Sequence, residues 1–477
     1  MRSILGFFCI SWFLLGTVPS TLNAENAADS QTVNAVTGSE VYQRIKKHVD
    51  QIRIIDTHEH LFSSEKPYLK QPADFLCRML DYVESDLVSA GMPRAPRGKP
   101  LRVKDLSVPL PERWAIFQKY WKEVRFTGYG RALHRTTKDL YGIDLDTVTP
   151  ETAHLLNEKI AATNKPGLFR YMLKEKARID LSISDIGRNR SDPEFFANVR
   201  RFDRFIRIRG PQSLEALTKE TGVKIDSVDD LSRAFGTAFS KAVKDGIVGV
   251  KSALAYDRRI SYPFTTKKQA EAAFAKLKSG KPVFESDLYP LQNYMMHEAC
   301  RLTNKQKLPF QFHTGLQTGS GNTITNSKPT DLVNLIMAYP NMKFVIFHGS
   351  YPYGHELSTM AKNFPNVYID MCWLDIISPK IAEDSLSEWL ETVPANKITG
   401  FGGDYGHVEL VYGHAEMARE VVARTLAQKV LGGYLTEAEA CELADKVLRN
   451  NAIELYQLKL PKVGAEEGRS PAKPAAR

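Results

Sequence analysis

His58 and His60 stand one residue apart in the stretch IDTHEHL, residues 55–61, after an apolar run of Ile52, Ile54 and Ile55 broken by Arg53. Side chains on a strand alternate between faces, so positions two apart share a face. Two imidazoles placed this way can reach one metal ion. Four more ionisable residues fall late in apolar, β-type runs: Lys251 in GIVGVKSALAY, His313 in LPFQFHTG, His348 in KFVIFHGS and Asp404 in KITGFGGD. Burying so many polar groups without partners is costly, and a shared metal ion removes most of that cost. Imidazole and carboxylate suit zinc and similar divalent ions. An ion that keeps one open position lowers the pKa of its water to about 7. Asp404 could ligate the ion, take the proton from that water, or do both in turn.

The elements that must position these residues are short strands alternating with helices. Candidate strands cover 52–60, 178–184, 204–210, 246–256, 308–315, 343–350, 366–373 and 397–404. Helix-like segments such as PTDLVNLIMAYPN and HELSTMAKNFPN separate most of them, punctuated by Pro-Asn and Gly. Strand then helix, eight times over, predicts an α/β fold: a (β/α)8 TIM barrel with its chemistry at the C-terminal ends of the strands. Residues 67–176 are helix-rich and longer than an ordinary barrel loop. They read as a helical insertion after strand 1, over the mouth of the barrel. Residues 211–245 read as a second helical excursion, before the fourth strand.

The chain of 477 residues is 43% hydrophobic and 25% charged, which excludes wholesale disorder. Its first residues differ. Arg2, an uncharged apolar run of about 15 residues and the small-residue exit PSTLNA read as a secretory signal peptide over 1–24. The run is shorter than the ~20 residues of a membrane span. The expectation is an exported protein, periplasmic or secreted, with no membrane span in its mature form. Residues 25–38 read as a linker, 39–460 as the barrel and 461–477 as a disordered tail. Net charge is +9, but the clusters NVRRFDRFIRIRG and EEGRSPAKPAAR accompany no nucleic-acid motif, so no nucleic-acid partner is expected. The basic residues read as a solvated surface that could attract anionic substrates. Cys77, Cys300, Cys372 and Cys441 form no CxxC pair and read as isolated thiols, with one disulfide open in an oxidising compartment.

Taken together, THEH, GVKSALAY, QFHTG, IFHGS and GFGGDYG resemble the amidohydrolase superfamily, metal-dependent hydrolases on a (β/α)8 barrel. In layout the resemblance covers roughly residues 45–455 and is strongest over 308–404. The helical stretch after HEHL, with RFTGYGRAL, is similar to the amidohydrolase-2 and uronate isomerase branches. The resemblance implies His58, His60, His313, Asp404 and Lys251 as metal ligands for one or two divalent ions, zinc first among them. Lys251 would bridge two ions as a carbamate, or serve a single-ion site as a structural or substrate contact. Asp404 and His348 become the catalytic pair, Asp404 shuttling a proton and His348 polarising the electrophile.

For substrate contacts, Tyr256, Arg258 and Arg259 follow the fourth strand, where an arginine could grip a carboxylate or phosphate. A solvated loop is the alternative for them. Gln311 shares a face with His313 and could line the barrel. Cys372 shares a face with Asp370 and reads as packing. His355, His407 and His414 receive no task, and GLQTGSGN reads as a mobile loop. The expected activity is a metal-bound hydroxide attacking an amide, ester or lactone of a small molecule. The alternatives are a nonhydrolytic decarboxylase or uronate isomerase-like enzyme on the same site, and a noncatalytic binding barrel.

Overall fold

Short strands of two to six residues form the centre of this fold, and all but the second, the third and one residue of the seventh are buried on both faces. The computed structural model describes residues 36–96, 98–185, 191–279 and 281–460. The expected signal peptide, residues 25–35 of the linker and the tail 461–477 lie outside the described residues. The strands are β1 (Ile54–Glu59), β2 (Ile179–Ser184), β3 (Phe196–Arg201), β4 (Gly249–Ser252), β5 (Phe310–Phe312), β6 (Phe344–Ile346), β7 (Val367–Asp370) and the two-residue β8 (Ile398–Thr399). They pair in parallel in sequence order. Register puts Val250, Phe310, Phe344 and Val367 side by side in one buried row.

The ring closes through the chain that follows β8. Thr57 N–H donates to Phe401 O at 3.0 Å, Asp404 N–H to His58 O at 2.8 Å and His60 N–H to Tyr405 O at 3.1 Å. Helices Tyr289–Lys305, Gly354–Asn363, Pro379–Thr392 and Leu410–Leu431 follow strands as crossovers. The connection from β1 to β2 is helical, with its longest pieces at Leu110–Val124, Gly128–Tyr141 and Ala153–Thr163. Among the described residues no helix is long and apolar enough to cross a membrane.

The third strand corrects the expectation. It is Phe196–Arg201, whereas 204–210 begins with a helical turn, Asp203–Ile206. FANVRR has two buried apolar residues, Phe196 and Val199, so its polarity hid it behind the more apolar RFIRIRG. The solvated reading of NVRRFDRFIRIRG falls with it. Arg200 is buried, Arg204 pairs with Glu220, and Arg207 pairs with Glu285 and Asp257.

Candidate metal centre

β1 delivers His58 and His60 to the top of the barrel, and the turn after β8 delivers Asp404. The two imidazoles converge on one carboxylate oxygen: Asp404 Oδ1 lies 3.5 Å from His58 Nε2 and 3.2 Å from His60 Nε2. His60 Nδ1–H donates to Asp185 O at 3.0 Å, and its Nε2 faces the Asp404 carboxylate. His313, just past β5, donates Nε2–H to Leu316 O at 2.9 Å. His348, just past β6, donates Nδ1–H to Cys372 O at 3.0 Å. The remaining nitrogens, His313 Nδ1 and His348 Nε2, then meet at 2.9 Å with a lone pair each.

Acceptors this close need a cation or a proton between them. Burial pushes the His58 and His313 imidazoles well below the ordinary histidine range, with Lys251 adding to it at both. Burial takes His348 down to about 4. A proton therefore does not resolve the contact between His313 and His348 near neutral pH. Burial would raise the Asp404 carboxyl, but the His60 hydrogen bond and the charge potential of His60, His348 and Lys251 outweigh it and hold it below the usual range. His60 is the counterpart: burial would lower it, and Asp404 more than offsets that.

Lys251 lies at the same level on β4, 1% exposed, with its Nζ 3.6 Å from the centre of the Phe347 ring and no hydrogen-bond partner. Burial lowers its pKa to about 8. Tyr256 packs at a tilt of 51° against His313 with ring centres 4.6 Å apart, its hydroxyl accepting Thr318 N–H. Gln311 is fully buried and donates to Thr57 O and Tyr456 Oη, so it is a barrel-interior bond.

The other two substrate expectations are corrected. Arg258 is buried and consumed by Gln292, Asn293 and the carbonyls of Arg259 and Ser261, between the rings of Tyr262 and Tyr289. Arg259 is exposed and bound bidentately by Asp331. Both arginines serve the loop after β4, because carboxylates, amides and carbonyls lie closer to them than the site does.

A cation that lies nearer the site is Arg201, at the end of β3. It pairs with Asp185 and keeps 35% of its side chain exposed. Its charge acts on His58, His60, Lys251 and His313. No motif signalled it, since its strand was misplaced. Cys372 and His414 were also undervalued. Cys372 lies beside His348 and Asp404. His414, fully buried, donates Nδ1–H to Gly403 O, next to Asp404, and faces Asp375 at 3.7 Å. A cavity of about 640 Å³ opens onto His60 and Asp404 and is bordered by Tyr82, Arg94, Lys104 and His407. His355 lies apart on the surface, paired with Glu388.

Residues 257–458 match the amidohydrolase family model. The fluG protein of Emericella nidulans is 28% identical over 242 residues, which is 48% of this chain and 28% of that protein, so the chain spans little more than a quarter of that relative. In fold the chain is similar to a uronate isomerase from Thermotoga maritima, with a TM-score of 0.74 at 17% identity, covering 89% of this chain and 98% of that one. It is similar to a glucuronate isomerase from Caulobacter crescentus, with a TM-score of 0.72 at 17% identity, covering 89% and 95%. A protein from Lactobacillus casei assigned as a metal-dependent hydrolase gives 0.60 at 20% identity, covering 87% and 97%. Residues 257–458 thus match the amidohydrolase family by sequence, and the fold as a whole is similar to that of the uronate isomerases.

Proposed function

We propose that the protein is a metal-dependent hydrolase of small molecules, cleaving an amide, ester or lactone, with a divalent ion held by His58, His60, His313 and Asp404. One observation carries this reading: the lone-pair nitrogens of His313 and His348 meet at 2.9 Å, and one Asp404 oxygen lies 3.5 Å from His58 Nε2 and 3.2 Å from His60 Nε2. Zinc is among the ions that such nitrogen and oxygen donors suit. When bound, the ion would acidify water and polarise an electrophile.

The chain's own residues supply the rest. Asp404, held ionised, accepts a proton from water and hands it to the leaving group. His348, neutral, presents its Nε2 to the reacting centre. Lys251 is partly neutral near pH 8, the form of an amine that binds a metal or takes up carbon dioxide as a carbamate. Tyr256 fixes the His313 ring. Arg201, aimed and half-neutralised by Asp185, receives an anionic group of the substrate at the mouth. The basic, then apolar, then small-residue start of the sequence supports action outside the cytoplasm.

A second reading, isomerisation of an acidic sugar on the same residues, is favoured by Arg201 at the mouth. The test is product analysis. Zinc-loaded protein is offered amides, esters, lactones, carboxylated aromatics and uronates. Hydrolysis of one of the first three, with Asp404→Asn lowering kcat by about 10²–10⁴-fold, supports the proposal. Conversion of uronates to keto sugars, or release of carbon dioxide, without hydrolysis of any amide, ester or lactone overturns it.

A further inference from the structure

Cys372 lies just past β7, and the strand order puts β7 between β6 and β8. The first residues past these strands therefore bring a thiol between the His348 imidazole and the Asp404 carboxylate. One ligand atom from each of the three lies within 4.8 Å of the others, and all three side chains are buried. The thiol is free. Its backbone is pinned at both ends: Cys372 N–H donates to Asp370 Oδ1 at 2.8 Å, and Cys372 O takes the His348 Nδ1–H. That second bond fixes which His348 nitrogen keeps its lone pair. Space for the sulfur comes from Gly402, where a Cβ would stand 2.8 Å from Sγ. The Lys251 amine, buried and without a partner, is close enough for its charge to act on the thiol. A buried donor triad beside an unpartnered buried amine is a poor packing solution and a good ligand set.

We propose that His348, Cys372 and Asp404 form a second cation subsite, of soft character because of the thiolate, sharing Asp404 with the centre built on His58 and His60. The inference rests on the metal-centre reading above and changes one role in it, moving His348 from contact with the substrate to ligation. Thiolate favours zinc or cobalt over magnesium or manganese, and binding releases the thiol proton to solvent.

The experiment loads the full chain with cobalt(II) and records the near-ultraviolet spectrum and the cobalt content per chain. It uses the wild type, Cys372→Ser, Cys372→Ala and, as a control for a buried thiol on the helix Tyr289–Lys305, Cys300→Ser. The expected result is a thiolate-to-cobalt charge-transfer band in the wild type and Cys300→Ser. Both Cys372 variants lose the band and one cobalt per chain. Cobalt bound without the band in the wild type, or a band that survives Cys372→Ser, overturns the subsite. A band lost with cobalt content unchanged assigns the thiolate to the first ion and also overturns a separate subsite. A wild type that binds no cobalt overturns the metal-centre reading itself. The wild-type spectrum decides even where a variant fails to fold.

Discussion

Asp404 has a φ of 60°, a left-handed backbone that costs an aspartate about 1 kcal/mol or more. The neighbouring residues hold it there. Its N–H donates to His58 O, and its carbonyl accepts the Tyr82 hydroxyl. On either side, Gly403 N–H donates to Asp56 Oδ1 at 3.1 Å and Tyr405 N–H to Glu59 Oε2 at 2.8 Å. Burial raises Asp56 to about 6, and burial with the charge of Asp56 raises Glu59 well above the ordinary glutamate range. Both shifts favour the neutral carboxyl forms under the site. A Cβ on Gly403 would stand 1.8 Å from Glu59 Oε1. Gly403→Ala is expected to lower stability by about 1–3 kcal/mol in thermal melts and to weaken metal uptake, because the loop must lift off Glu59. The imidazoles give a pH prediction for protein stripped of metal. Folded, His58, His313 and His348 stay neutral well below pH 6.5, whereas in the unfolded chain they take up protons near 6.5. Their contribution is therefore fully present above about pH 6.5 and is lost as pH falls toward about 4, which thermal melts of chelated protein across that window will show.

At the scale of elements, the chain leaves β6, β7 and β8 in the same way. His348, Trp373 and Asp404 all take left-handed φ, at 63°, 69° and 60°. The chain turns sharply two to five residues past each strand end, and strain of this kind gathers at functional sites. The polar residues at these ends were legible in the sequence because each breaks an otherwise apolar run. HxH, FQFHTG, FVIFHGS and GFGGD gave the ligand candidates for that reason. Arg201 was not legible, because β3 has too few apolar residues to stand out beside RFIRIRG. Nor was the error at Arg258 and Arg259 avoidable from spacing alone, since only the folded loop brings Gln292, Asn293 and Asp331 to them. The three arginines should therefore separate by experiment. Arg258→Met leaves two buried amides and two carbonyls short of a donor and should cost about 1–3 kcal/mol in melts, with KM unchanged. Arg201→Met should lower stability by about 1–3 kcal/mol, because it strands the buried Asp185 carboxylate, and raise KM for an acidic substrate about tenfold or more, the scale of a charge-assisted hydrogen bond.

For the molecule as a whole, the seam that closes the barrel is also the site. His58, His60 and Asp404 are bound to one another's strand ends by the backbone hydrogen bonds that join β1 to the chain after β8. The opposite end is tied by Arg419, fully buried on the helix Leu410–Leu431, which donates to the carbonyls of Val49, Ile52 and Ala177 just ahead of β1 and β2. Arg419→Met should cost about 3 kcal/mol in urea titrations, because it strands those carbonyls, and should loosen the seam from below. A closed seam that brings two imidazoles against one carboxylate oxygen is a natural seat for a cation. The most direct test is divalent metal per chain, by elemental analysis, in the purified protein and in the His58→Ala/His60→Ala double variant, with circular dichroism to confirm folding. The account predicts at least one ion per chain in the wild type and none at this centre in the double variant. A folded wild type that takes up no ion, even after reconstitution with zinc, cobalt or manganese, would contradict it.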